Sequence, residues 1–331
     1  MSSNAITVTT INSPTTGLIN LAKNAGRLDA ELFIVGDTKS PPDFSLDGST
    51  YLNVSQQVAT GLLYAEKAPV RHYSRKNIAY LCAIKNRCDI IIETDDDNIP
   101  REEFWVHRLQ TLHGDLVSGR GWCNVYKCFS SQSIWPRGLP LFAIQQPEHF
   151  HRSQAEKVDS PIQQGLADLN PDVDAIYRLV APLPVSFERR APVILDYGVW
   201  CPFNSQNTTW FKPTFPLLYL PAYCSFRMTD IWRSFVAQRI CWENNWRLSF
   251  HNATVIQERN EHNLMRDFED EVIGYLRNDE IKNMLLDLKL HGGLHNIQDD
   301  LIICYKGMIG LGVIDGAEEP LLKAWIRDLF G

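Results

Sequence analysis

The most constraining feature of the sequence is an apolar run that ends abruptly in carboxylates, Asp89-Ile90-Ile91-Ile92-Glu93-Thr94-Asp95-Asp96-Asp97-Asn98. Three consecutive isoleucines read as a strand buried on both faces. The aspartates that follow repel one another and raise each other's pKa unless a cation neutralises them. Hard oxygen ligands at a strand's carboxyl edge suit Mg2+ or Mn2+, which share their coordination shell with substrate phosphates. In open α/β sheets that edge is where ligands bind. The plain alternative is an acidic turn in which Asp97 or Asn98 caps a helix starting at Pro100.

A chain of 331 residues is long enough for one large domain, or for two halves sharing a sheet. Its net charge of -7 argues against a general nucleic-acid binder, which would carry a basic face. A local basic pocket for a diphosphate is still compatible with it. No apolar stretch approaches the length of a membrane span. Met1-Ser2-Ser3-Asn4-Ala5 shows neither a basic n-region nor an apolar h-region, so a cytoplasmic protein is expected. The 8 cysteines form no CxxC pair and read as reduced thiols, not as a disulfide framework or a zinc site.

Taken in order, residues 5–11, 31–35 and 50–54 read as strands. A helix follows the first, with Ser13 as a plausible cap and Pro14 at its first position. Further helices are expected at 55–66 and 74–87, ahead of the acidic strand. This α/β order implies a mostly parallel sheet. It brings three polar strand ends, 9–12, 37–39 and 95–97, to one crevice. Neither GxGxxG nor GxxxxGK[ST] occurs, so phosphates would have to be met by a metal and by basic side chains. Arg75-Lys76-Asn77 opens the helix before the acidic strand and suits a diphosphate; an ordinary charged surface cluster is the alternative. Residues 115–119 read as another strand, and 121–215 as largely irregular, which in a compact domain is often functional. Within that stretch lie an acidic pair, Asp172 and Asp174, and an amide-rich run, Asn204-Ser205-Gln206-Asn207. The pair reads equally as an acidic helix start, the run as a solvated turn. Thr229 or Asp230 starts a helix whose apolar positions recur at helical spacing through Ile240. A strand at 247–250 precedes His251. Helices are expected at 264–276, 279–289 and 320–330.

These stretches, in this order and over residues 5–260, resemble the glycosyltransferase domain of the STELLO proteins. The matching runs are Asp37-Thr38-Lys39-Ser40-Pro41, Arg75 to Leu81, Glu93 to Asn98, Asp172-Val173-Asp174, Asn204 to Thr208 and Met228 to Arg233. The plant members carry a membrane anchor that is not visible here, so a soluble relative is expected. The resemblance implies a GT-A fold, the Rossmann-like α/β fold of nucleotide-diphospho-sugar transferases. Residues 1–120 would form the nucleotide-sugar half, 121–260 the acceptor and catalytic half, and 261–331 a helical C-terminal region.

It also implies a UDP-sugar donor, a divalent metal (Mn2+ or Mg2+), and a glycan or small-molecule acceptor. Thr9, Asn12 and Asp37, with Lys39 beside them, would border the base and ribose. Arg75, Lys76 and Asn77 would meet base or phosphate. Asp95 and Asp97 would take the DxD role, with Asp96 available to either task. His251 or His262 would be a late metal ligand. An inverting enzyme needs a carboxylate to take the acceptor's proton, and Asp230 is placed for it; in a retaining enzyme Asp172 or Asp174 would lie nearer the sugar. Asn204, Gln206 and Asn207 would bind hydroxyls, and Trp122, Trp135, Trp200 and Trp210 could stack on sugar rings. The alternatives are a nucleotide-sugar mutase or self-glycosylating protein, and a non-catalytic nucleotide-sugar-binding scaffold.

Overall fold

A computed structural model describes residues 4–146, 149–258 and 263–331. The first half begins with β1 (Asn4–Thr10), β2 (Ala30–Gly36) and β3 (Thr50–Leu52), and reaches the acidic strand as β4 (Ile90–Thr94). All four run parallel in the order β3-β2-β1-β4. The chain therefore leaves β1 in one direction and returns on its other side. That reversal opens a crevice at the carboxyl ends of β1 and β4, where such sheets bind ligands.

Beyond β4 the same sheet continues through Asn207–Phe211, Ile162–Asp168, Leu248–Gln257, Val193–Leu195, Thr111–Ser118 and His151–Asp159. Asn207–Phe211 is antiparallel to both of its neighbours, β4 and Ile162–Asp168. The stretch read as irregular thus supplies four strands of the sheet. Its strand Ile162-Gln163-Gln164-Gly165-Leu166-Ala167-Asp168 is buried at every position. Buried amides replace apolar side chains there, and each finds partners. The Gln164 side chain accepts from Asn204 N at 2.9 Å and Thr208 Oγ1 at 3.0 Å, and donates to the Gly165 and Asn207 carbonyls. Satisfied polar groups are compatible with a core, but they erase the hydrophobic pattern.

Two local starts differ from the sequence reading. The first helix spans Thr16–Asn24, with Thr15 as its cap accepting from Leu18 N at 3.2 Å, while Pro14 stays in the turn. No α-helix starts at Pro100; only a short 3-10 turn, Glu102–Trp105, follows it. Asn98–Pro100 instead pairs antiparallel with Leu248–Gln257. Asn98 is occupied elsewhere, its Nδ2 donating to Thr94 Oγ1 at 3.0 Å and to the Gln206 carbonyl at 2.6 Å.

The C-terminal helices Leu264–Asp287, Ile297–Gly310 and Glu318–Phe330 pack on the core that covers the sheet. The first is continuous where two were expected, because Asn278 at its middle is buried and satisfied. It accepts from Trp232 Nε1 at 2.9 Å and donates to the Gly138 carbonyl at 2.8 Å. Helix Ile297–Gly310 had no counterpart in the sequence reading. Asp328 ties the last helix back to the first half by accepting from Leu63 N and Tyr64 N. Among the described residues no helix is long and apolar enough to cross a membrane.

Candidate active site

The acidic turn is built by close backbone packing. Gly17, in the first turn of its helix, lies so near the turn that a Cβ there would fall 2.3 Å from the Asn98 carbonyl oxygen. Thr15 Oγ1 donates to the Asp96 carbonyl. Asp96 turns its Oδ2 toward β1 and accepts from Thr10 Oγ1 at 2.6 Å and Asn12 Nδ2 at 3.0 Å. Asp97 Oδ1 accepts from Gln257 Nε2 at 3.1 Å. Asp95 pairs with the buried Lys76 at 3.1 Å, and Lys76 also donates to the Ser205 carbonyl at 3.2 Å.

Two cavities border this turn. The larger, about 540 Å³, is lined by Thr9, Thr10, Asn12, Asp37, Lys39 and Arg75 among others. The smaller, about 270 Å³, is lined by Asp95, Asp97, Arg137, Asp172, Gln206 and Asp230 among others. Thr9, Tyr73, Asp96 and Phe226 border both.

Burial pushes the Asp95 carboxyl up to about 7; Lys76 opposes the rise, while Asp97 and Asp96 add to it. That donor set fits a divalent cation. Among the described residues no three His, Cys, Asp or Glu side chains form a ligand cluster of their own. Two carboxylates, completed by a donor's phosphates and water, are the usual protein share for Mg2+. Asp95 and Asp97 are the residues that would hold it.

The smaller cavity contains a charge arrangement that the sequence does not announce. Arg137 forks between two carboxylates, meeting Asp172 through Nε and Nη2 at 2.8 Å each and Asp230 through Nη1 and Nη2 at 3.1 and 3.0 Å. Asp230 also accepts from Ser205 N at 3.1 Å and Ile231 N at 3.0 Å. Burial alone would raise the Asp230 pKa. The charge and hydrogen bonds of Arg137 outweigh it, Arg233 adds to them, and the carboxyl is held well below the usual carboxylate range. The direction of that shift favours the ionised form at neutral pH.

The structure separates the site residues read from the sequence. Thr9, Asn12, Asp37, Lys39, Arg75 and Asp96 line the larger cavity, and Asp95, Asp97, Asp172, Gln206 and Asp230 the smaller. Arg75 is largely committed inward, to Gln57 Oε1 and to the Ala68 and Pro69 carbonyls. Lys76 acts through Asp95.

Other residues read from the sequence line neither cavity. Asn77 faces away, its amide exchanging hydrogen bonds with Leu220 and donating to Tyr64 Oη. Asp174 caps the short helix Ala175–Val180 and accepts from Trp135 Nε1 at 2.7 Å. Asn204 and Asn207 bond within the sheet, through Gln206 N and through the Leu166 carbonyl and Thr254 Oγ1. His251 is absent from the lining of both cavities. It pairs in register with Gly165, six residues before the Gln257 that reaches Asp97; that is about 20 Å of extended chain. Its Nδ1 donates to the Asn252 carbonyl at 3.0 Å. His262 lies outside the described residues. Trp122, Trp135, Trp200 and Trp210 are buried and line neither cavity.

Sequence reasoning missed Arg137, Tyr73, Phe226 and Arg227. Arg137 stands alone in Trp135-Pro136-Arg137-Gly138, and its two partners are distant in the chain. Phe226 and Arg227 directly precede the helix start already singled out at Thr229-Asp230, and that adjacency was the available signal.

A parallel first half, continued by a mixed second half across an acidic strand end, is a GT-A-like architecture. The family model of the STELLO glycosyltransferases matches residues 227–329. The probable glycosyltransferase STELLO1 of Arabidopsis thaliana is 30% identical over 260 residues, covering 72% of this chain and 33% of the plant protein. The probable glycosyltransferase STELLO2 of the same plant is 28% identical over 272 residues, covering 76% of this chain and 35% of its own length. The chain is similar to the STELLO glycosyltransferases over these stretches, and it spans about a third of the length of these relatives. The family match runs past residue 260, so the likeness extends into the C-terminal helices that the sequence reading left outside it.

Proposed function

We propose that this chain transfers a sugar from a nucleotide-sugar donor, a UDP-sugar, to a glycan or small acceptor, with a divalent cation at Asp95 and Asp97. The observation that carries the reading is the pair of adjoining cavities. One has a polar lining at the ends of parallel strands and suits a nucleotide; the other holds the acidic turn and the Arg137 carboxylate pair. Thr9, Asn12, Asp37 and Lys39 bind and orient base and ribose. The cation, when bound, offsets the charge of the departing diphosphate. Asp230 takes the acceptor hydroxyl's proton as the acceptor oxygen bonds to the sugar's anomeric carbon and the bond from that carbon to the phosphate oxygen breaks. Arg137 fixes the carboxylate and keeps it charged. Inversion is the outcome of such a single displacement. Incubation with a panel of UDP-sugars and Mn2+ should release UDP, and EDTA should stop it. Binding of UDP and metal with no turnover of any donor would favour a non-catalytic scaffold and overturn the reading.

A further inference from the structure

The tryptophans suited to sugar stacking are buried, yet Phe226 and Tyr73 border both cavities, and Phe226 is the more exposed of the two. Phe226 is 46% exposed and lies against both cavities. Its ring is braced nearly perpendicular to His72, at 5.3 Å and 68°, and to Tyr73, at 5.0 Å and 73°. Those two rings stack on each other at 5.7 Å. The turn Phe226–Met228 is pinned on both sides, by Ser225 Oγ donating to the Asp270 carbonyl and by Arg227 paired with Glu271 at 2.8 Å. The ring is held in place rather than left loose. Exposing so much of it forgoes part of the stabilisation that full burial of such a side chain contributes.

Its position narrows what would cover it. The base-binding end of the larger cavity is polar, with Thr10, Asn12, Asp37 and Lys39. Phe226 stands where the two cavities meet, four residues before Asp230, on the turn that leads directly into the helix Thr229–Glu243. A ring seated on it would present its edge groups toward Asp230. A flat apolar face beside hydroxyl-binding groups such as Tyr73, Gln206 and Gln257 matches a pyranose, which has a C–H face and a polar rim.

We propose that Phe226 is the platform for the acceptor's sugar ring, so that the acceptor is a glycan or glycoside. This rests on the glycosyl-transfer reading above. Saturation-transfer NMR on the full chain with UDP and Mn2+ tests it, using the methyl pyranosides of glucose, galactose, mannose and xylose as probes. At least one should receive saturation at its ring C–H protons. Phe226→Ala should weaken that binding at least tenfold, Phe226→Leu should behave like Ala while restoring packing, and Phe226→Tyr should keep it. Wild type that saturates none of the glycosides overturns the inference. So does a Leu variant that binds them as wild type does, or one that loses UDP affinity instead, which would put the ring on the donor. UDP binding in the same samples separates the two claims. Without it the glycosyl-transfer reading fails; with it, and no glycoside, only the platform fails.

Discussion

At the scale of single residues, the site turns on how few carboxylates are free to act. Asp96 is bound by Thr10 and Asn12, and Asp172 and Asp230 share Arg137. Asp230 combines a lowered pKa with a place at the start of the helix Thr229–Glu243, against the smaller cavity. Asp230→Asn keeps the shape and removes the base. Transfer should fall by about 10²-fold or more, while UDP affinity, read by calorimetry, stays within about twofold. Full transfer by that variant would remove Asp230 from the mechanism. The acidic turn and Asp230 were legible because clustered like charge and a helix start leave marks in sequence. Arg137 was not, because a lone arginine has no pattern until the fold brings its two partners to it.

At the scale of elements, the acidic strand is tied to the helix Thr229–Glu243 by a buried ion pair. Glu93 in β4 accepts from Arg233 at 3.0 and 2.7 Å and from Trp210 Nε1 at 2.8 Å, with Tyr80 Oη donating as well. Both members of the pair are almost fully buried. Arg233→Met would leave the Glu93 charge without its partner, which typically costs about 3–5 kcal/mol. Urea unfolding should show that loss; a change under 1 kcal/mol would mean the pair does not join the halves energetically. The strands near this pair explain where sequence reading failed. The parallel strands carry runs such as Leu32-Phe33-Ile34-Val35 and were found. The strands of the second half carry Gln163, Gln164, Asn207 and Thr208 at buried positions, and their pairing is visible only once the amides meet.

At the scale of the whole molecule, one sheet runs through both halves and the C-terminal helices close over its core. Two half-buried imidazoles, His72 and His251, have lowered pKa values. Burial lowers His251 to about 4, helped by nearby Arg108; burial likewise lowers His72 to about 4, against the pull of Asp37. An unfolded histidine titrates near 6.5, so between about 6.5 and 4 the unfolded chain binds more protons. The stability that depends on keeping these rings neutral is complete above about pH 6.5 and is lost as pH falls toward 4. Urea midpoints should therefore drop between pH 7.5 and 5, and less steeply for His251→Asn than for wild type. Equal slopes would mean that His251 is not held neutral by burial.

The central claim is that the acidic strand end joins a nucleotide pocket through a cation, and calorimetry of UDP with and without Mn2+ addresses it most directly. The account predicts tight UDP binding only with metal, and loss of that metal dependence in Asp97→Asn. UDP binding that ignores metal, or an Asp97→Asn variant that keeps the full metal effect, would contradict it.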